Sequence, residues 1–410
     1  MKKKILLFSP PFSGHLHPVL GLGIYLKNTY EIAVVSTSSA MKSIEASGLR
    51  GICLLQGKDS FIEEIANPKI QVKNNPVLLY SQLKRNVSLL HTMRKETEDL
   101  YVTEKPDIVI TDGVLPVPGI LAESMGIPWF SILASPCVFE SVSGVNAYMG
   151  GVKPDSTLKG RIRDSIHRIM IKSFKKFMFF LFSDDLRKLG LENVYRKDGS
   201  EAVYSHRKVF AMAMSELEFE RKTADTLMLT GPILYTPPVN SESPLFNRGK
   251  KHILITIGTH LWFEKDRLKE QIRECSLDLN DFIFHFSYGD KNGTVREIQE
   301  NFHVYSFVSY EEHLFKYDLV LHHCGAGIMY ECIRNGIPSI AYPLDYDQFD
   351  NAARLETAGA CTVLKNIRKL REAVLNAAEN ENMKKNCVML QEKFRNYNAP
   401  ETIENILSEI

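Results

Sequence analysis

The sequence predicts an α/β protein of two domains, each a parallel sheet flanked by helices. Three observations lead there. Short apolar runs that do not alternate, such as residues 5–8 and 319–321, read as strands buried on both faces. Each is followed by a turn containing glycine and then by a helical pattern, the βα unit of a parallel sheet. A stretch rich in Pro, Ser and Asn, residues 234–251, has no apolar periodicity and reads as a linker, after which the βα pattern restarts.

Composition narrows the class. At 410 residues the chain is long enough for two ordinary domains. A hydrophobic content of 44% and a charged content of 24% are those of a soluble globular protein. A formal net charge of +1 gives no whole-protein field for nucleic acid, so that partner is excluded. The seven cysteines are odd in number, scattered and without a CxxC pair, which predicts reduced thiols and a cytoplasmic setting. Lys2-Lys3-Lys4 precedes an apolar run too short for a signal peptide, ended by Pro10-Pro11. No apolar run reaches the roughly 18 residues of a spanning helix.

In the first half, residues 4–9 read as a strand, and residues 19–27 as a helix with Pro18 in its first turn. Residues 31–36 are the next strand. Gly21-Leu22-Gly23 lies inside the helix and lacks a third glycine, so a dinucleotide fingerprint is not made. Residues 56–105 are polar and helical in pattern. Residues 106–111 form a strand that ends at Asp112, followed by a helix at 117–125 and a strand at 128–133. Ligands of open α/β sheets bind at the carboxyl ends of strands, which singles out His15 after the first strand and Asp112 after this one. A loop histidine and a helix N-cap are the structural alternatives for these two, and His17 is read as a loop histidine. Loops 135–139 and 146–149 overhang the same end.

Residues 161–182, RIRDSIHRIMIKSFKKFMFFLF, are basic and heavily aromatic. One reading is an amphipathic helix that caps the first domain and lines an apolar pocket; the other is a helix resting on anionic membrane. The pocket is the expectation taken forward. Residues 208–214 form a further strand.

In the second half, residue 252 opens a strand that runs to 257 and turns at Gly258-Thr259-His260. Strands follow at 281–287 and 303–307. The apolar run 319–321 then meets His322-His323-Cys324-Gly325-Ala326-Gly327 and a helix at 328–335, stopped by Gly336 and Pro338. A strand at 339–342 leads to Pro343 and the loop Asp345-Tyr346-Asp347-Gln348. Strand, glycine turn and helix point backbone N–H groups and a positive helix end at a phosphate. The small residues allow close approach of the ligand. Residues 365–410 are helical and charged.

The order of these parts resembles the donor signature of nucleotide-sugar glycosyltransferases of the GT-B fold, the superfamily of UDP-glycosyltransferases and bacterial antibiotic and sterol glycosyltransferases. Plant members read HCGWNS, then a glutamate, a proline and an Asp/Glu-Gln pair; bacterial members read HHGGAGT. His323-Cys324-Gly325, Glu331, Pro343 and Asp347-Gln348 are in register with both. Ala326, Gly327 and Ile328 depart from both patterns, so the side-chain hydroxyl on the diphosphate is lost and backbone N–H groups take its place. Gly14-His15-Leu16-His17-Pro18 resembles the family's GHxxP turn. Thr230-Gly231-Pro232 resembles the close of its first domain, and Phe307-Val308-Ser309-Tyr310 aligns with a plant Trp-Ala-Pro-Gln segment. The resemblance spans nearly the whole chain and is most specific over 307–351.

The resemblance implies two facing Rossmann-like domains: residues 1–233 for the acceptor, 252–393 for the nucleotide sugar, and a helix at 394–410 crossing back to the first domain. It implies His15 as general base and Asp112 as the carboxylate that orients it. Thr259, His323, Gly325, Ala326 and Gly327 would hold the diphosphate. Phe307 would stack on the base, the Val308 backbone would pair with its edge, and Glu331 would meet the ribose. Asp347 and Gln348 would meet the hexose; Phe12, Phe139 and Tyr148 would meet the acceptor. The implied reaction is inverting transfer of a hexose from a UDP-sugar, or a TDP-sugar, to a hydroxyl of a small, largely apolar or lipid acceptor. The nucleotide sugar is a co-substrate, and no cofactor or metal is implied. Two alternatives stay open: a metal held by Asp345 and Asp347 as a DxD pair, and a non-catalytic sugar-nucleotide binder that assists a partner.

Overall fold

A computed structural model of the chain describes residues 2–66, 76–238, 243–258, 262–291, 293–345 and 347–410. The first half runs β1 (Lys4–Phe8), α1 (Ser13–Leu26), β2 (Glu31–Ser36), α2 (Ser38–Ala46), β3 (Arg50–Cys53), α3 (Asp59–Ala66), α4 (Pro76–Glu104), β4 (Ile108–Asp112), α5 (Pro116–Ser124), β5 (Trp129–Leu133), β6 (Ser141–Ser143), α6 (Leu158–Leu181), α7 (Ser183–Lys188), β7 (Val209–Ala211), β8 (Lys222–Thr223) and β9 (Leu227–Leu229). Seven strands form one parallel sheet in the order β3-β2-β1-β4-β5-β7-β9. The first strand explains its own unbroken apolar run. Ile5 and Leu7 enter one core cluster while Leu6 and Phe8 enter another, so both faces of the strand are covered.

The second half runs β10 (Lys251–Thr256), α8 (Trp262–Ser276), β11 (Phe282–Ser287), β12 (Arg296–Gln299), β13 (Phe302–Tyr305), α9 (Tyr310–His313), β14 (Leu319–His322), α10 (Ala326–Asn335), β15 (Ser339–Ala341), α11 (Gln348–Thr357), β16 (Cys361–Val363), α12 (Leu370–Glu379), α13 (Glu381–Phe394) and α14 (Ala399–Ser408). Its sheet has the order β12-β13-β11-β10-β14-β15-β16, parallel except for the edge strand β12. Here too Ile253 and Ile255 pack on one side of β10 and Leu254 on the other.

Two details differ from the sequence expectation. The helix expected from residue 19 begins at Ser13, with Pro18 inside it. Proline lacks an N–H, so the helix forgoes a single bond there, close to its start, and still continues. Phe12 accepts the N–H groups of His15 and Leu16 at 2.9 and 2.8 Å, which places His15 in the first turn. The strand expected over 208–214 is limited to Val209–Ala211.

The last helix does cross back. Ala399, Ile403 and Leu407 of α14 join the core of the first domain. Just before it, Tyr397 packs on Gly231, whose φ is +90°. A Cβ at Gly231 would come within 2.4 Å of the Tyr397 ring, so close approach and backbone conformation both require glycine.

Candidate active site

The strand order reverses between β1 and β4 in the first sheet and between β10 and β14 in the second. A crevice opens at the carboxyl ends of the strands at each reversal. Both crevices face one cleft of about 1220 Å³ between the domains.

On the first wall, His15 Nδ1 lies 2.8 Å from Asp112 Oδ2. The other carboxylate oxygen accepts the Val114 N–H at 3.0 Å. Asp112 therefore holds both the turn after its strand and the imidazole, which joins the two readings offered for it. The aspartate is 1% exposed and the histidine ring 30%, so the ring is presented to the cleft from a buried anchor. Burial disfavours a charge on His15, but the attraction and hydrogen bond of Asp112, with Asp347 across the cleft, outweigh it and raise the pKa above the ordinary imidazole value.

On the facing wall, two histidines have different tasks. His322 is fully buried and its Nδ1 accepts the Cys324 N–H at 3.0 Å, so it shapes the turn. Burial, with His323 beside it, lowers its pKa to about 3. His323 lines the cleft. Its ring sits between two glycines: a Cβ at Gly258 would come within 2.9 Å of it, and one at Gly325 within 2.4 Å. Between them Cys324 adopts φ +66°, a conformation that costs a non-glycine residue free energy and clusters at functional sites. α10 follows with Gly325 as N-cap and no capping side chain. Its first N–H groups, at Ala326 and Gly327, thus lie at the cleft surface, the geometry of an anion site.

Phe307, Glu331, Asp347 and Gln348 also line the cleft. Burial raises the Glu331 pKa to about 7, opposed by Arg334, whose Nη2 is 2.7 Å from Oε2. Gln348 Oε1 accepts the N–H groups of Leu344 and Asp345 at 2.9 and 3.0 Å and so braces the acidic loop. Asp347 Oδ2 accepts from Asn351 Nδ2 at 3.1 Å. Thr259 and Tyr346 lie outside the described residues. Among the described residues, no group of three His, Cys, Asp or Glu side chains converges to hold a metal ion.

Two expected contacts are corrected. Val308 is fully buried and absent from the cleft wall, and its N–H donates to Ser287 Oγ at 3.2 Å, so that backbone donor is already used. Phe139 packs on Tyr204 beneath the wall, ring centroids 5.3 Å apart, and its neighbour Val138 reaches the cleft instead. Phe12 and Tyr148 do line the cleft. Tyr148 holds φ +58°, a strained setting for an aromatic residue. The pocket-lining expectation for residues 161–182 is also corrected: none of α6 lines the cleft.

A model of the glycosyltransferase family 28 C-terminal domain matches residues 245–405. UDP-glycosyltransferase 2 of Phaeomoniella chlamydospora is 22% identical over 100% of this chain and 96% of its own length. NDP-glycosyltransferase YjiC of Bacillus subtilis strain 168 is 24% identical over 88% of this chain and 84% of its own. Human UDP-glucuronosyltransferase 1A1 is 22% identical over 78% of this chain, which spans only 61% of that enzyme. The glycosyltransferase of kitacinnamycin superposes with a TM-score of 0.74 at 18% identity, covering 99% of this chain and 100% of that one. The Streptomyces sp. SF2575 glycosyltransferase SsfS6, in complex with thymidine diphosphate, superposes at 0.66 with 16% identity, covering 100% of both chains. The chain belongs to the GT-B glycosyltransferases.

Two site residues of this glycosyltransferase escaped the sequence reading. Lys291 lines the cleft beside Phe307, its Nζ 5.8 Å from the ring centroid. Burial lowers its pKa to about 8. Its Nζ is 3.2 Å from His17 Nε2 of the opposite domain. Burial first, then this lysine, lower the His17 pKa to about 3, so the neutral imidazole accepts from the ammonium. Nothing in Tyr288-Gly289-Asp290-Lys291 marks the lysine; it is found only once the loop after β11 is seen to reach the first domain.

Asn351 is the second. Its Oδ1 accepts from Ser135 Oγ at 3.1 Å and Cys137 Sγ at 3.2 Å in the first domain. Its Nδ2 donates to Cys324 O at 3.2 Å in the phosphate-type turn. One turn on, Arg354 pairs with Glu218 of the first domain at 2.6 Å, both side chains buried. The two cleft walls of this glycosyltransferase are thus joined through α11.

Proposed function

We propose that the protein is an inverting glycosyltransferase that moves a hexose from a nucleoside diphosphate sugar to a hydroxyl of a small, largely apolar acceptor. The observation that supports it most is the His15–Asp112 pair on one wall, facing His323 and the bare N-terminus of α10 on the other. With Nδ1 held by Asp112, the Nε2 of His15 takes the proton of the acceptor hydroxyl as its oxygen attacks the anomeric carbon. Such a base typically contributes about 10²–10⁴-fold. Asp112 fixes the tautomer and stabilises the imidazolium.

Negative charge grows on the diphosphate as it leaves. His323, the N–H groups of Ala326 and Gly327, and the Lys291 ammonium are the donors proposed to receive it. Attack from the acceptor side, opposite the leaving diphosphate, inverts the anomeric centre. Phe307 offers a face for the base, Glu331 an acceptor for the ribose, and Asp347 one for hexose hydroxyls. UDP is the preferred nucleotide, and the likeness to a TDP complex keeps thymidine diphosphate sugars as the second choice. The cations of the cleft make the transfer metal-independent. Seven free cysteines favour a reducing, cytoplasmic setting.

The test is turnover by the purified chain in excess EDTA, with UDP- and TDP-hexoses and a panel of phenolic, polyketide and sterol acceptors. Nucleoside diphosphate release that depends on acceptor, survives EDTA and yields the inverted glycoside is expected. Activity lost in EDTA and restored by manganese or magnesium would return the reaction to Asp345 and Asp347.

A further inference from the structure

From α6 we infer that the protein docks on an anionic phospholipid bilayer through this helix. The inference is independent of the proposed reaction. Ile162, Ile166, Ile169, Met170, Phe177 and Phe180 are each between 50% and 74% exposed. They lie three or four residues apart, so they share one side of a helix about 36 Å long. A continuous apolar stripe of that length facing water marks an interaction surface.

The opposite side of the helix is committed to the protein. Asp164 is buried and paired with Arg163. Arg168 donates to the Gly144 carbonyl at 2.7 Å. Lys175 pairs with Glu140 at 2.7 Å and with Glu201, and lies over the Tyr148 ring, so the inner side of the helix backs the cleft wall.

The charge pattern identifies the occupant. Lys159, Arg161, Lys172 and Lys176 are exposed, and none pairs with a carboxylate among the described residues. Asp164, already neutralised, is the sole acidic residue of the helix. Apolar side chains bordered by unpaired cations are the composition of a helix lying in the headgroup plane, with chains below and cations at the phosphates. A second copy of this chain fits worse, because a two-fold contact through the same face would oppose cation to cation. No helix among the described residues is long and apolar enough to cross a membrane, so the contact would be peripheral.

The experiment is co-sedimentation of the full chain with phosphatidylcholine vesicles, with and without about a third phosphatidylglycerol, at low and high salt. Binding to the anionic vesicles at low salt, reduced at high salt, is expected. At about fivefold per cation, Lys172→Gln with Lys176→Gln should weaken the partition about thirtyfold. Phe177→Ser with Phe180→Ser should abolish it. Both variants should keep the wild-type melting temperature, since these side chains face solvent. Equal binding to neutral vesicles, or no loss in the lysine variant, would overturn the inference. So would a wild type that ignores anionic vesicles and instead forms, by light scattering, a dimer that the phenylalanine variant dissolves.

Discussion

Asp112 Oδ2 holds His15 Nδ1 at 2.8 Å, and that one contact sets both the tautomer and the basicity of the ring. His15→Ala should therefore lower turnover by at least about 10²-fold with little change in donor KM, because a lost base acts on the transition state. Asp112→Asn should be impaired less, and its pH profile should move. The wild-type His15 pKa is raised, and only the neutral ring is a base. The rate should fall as pH drops through a midpoint above the ordinary imidazole value of about 6.5. Removing the carboxylate's charge should shift that midpoint to lower pH. A pH–rate profile of the native reaction checks this; near-wild-type turnover in His15→Ala would remove the histidine from the mechanism.

Most of this wall was legible in the sequence because strand ends advertise themselves. β1 and β4 are apolar runs that stop at a polar residue, and the parallel sheet aligns their ends side by side. The glycine turn after β14 was legible for a similar reason: Gly325 and Gly327 leave backbone exposed where a helix begins. What was not legible is what depends on a second element arriving. Phe139 and Val138 are adjacent and equally apolar, and only the packing of Tyr204 decides which goes under the wall. Val308 spends its N–H on Ser287, a residue of another strand. Lys291 and Asn351 acquire meaning from the opposite domain. The amphipathic pattern of α6 was visible, but which side the fold would cover was not.

Lys291 contributes a prediction about donor binding. Burial holds its pKa down at about 8, so near neutrality it is charged and easily relieved of its proton. A diphosphate beside it favours the ammonium. Lys291→Met should raise donor KM about tenfold and leave acceptor KM largely unchanged. In the wild type, donor KM should climb as pH rises above about 8, while Lys291→Arg, whose guanidinium does not titrate there, should lose that climb. Initial rates at varied donor and pH measure both. An unchanged donor KM in Lys291→Met would place the lysine outside the diphosphate site and leave it as a tether to His17.

The second domain also encloses a histidine cluster away from the cleft, which bears on acid stability. His285 is fully buried between His252 and His303, with ring centroids 5.1 Å from each, and its Nδ1 meets the Tyr317 hydroxyl at 2.8 Å. Burial first, then the neighbouring histidines, lower its pKa to about 3, and burial lowers that of His303 as well. The unfolded chain would protonate each near pH 6.5. Below that pH the unfolded state binds protons that the folded state refuses. The stabilisation is therefore complete above about pH 6.5 and is lost progressively as pH falls towards about 3, at roughly 1.4 kcal/mol per pH unit for each such histidine. Denaturant unfolding at pH 7, 6 and 5 should show this slope. His285→Leu strands the Tyr317 hydroxyl, a cost that does not vary with pH in this range, and removes one titrating group. Its stability should be offset downward at pH 7 but should fall less steeply on acidification, by about one proton. A variant slope as steep as the wild type would mean that His285 accepts its proton without unfolding, and that the cluster tolerates a buried charge.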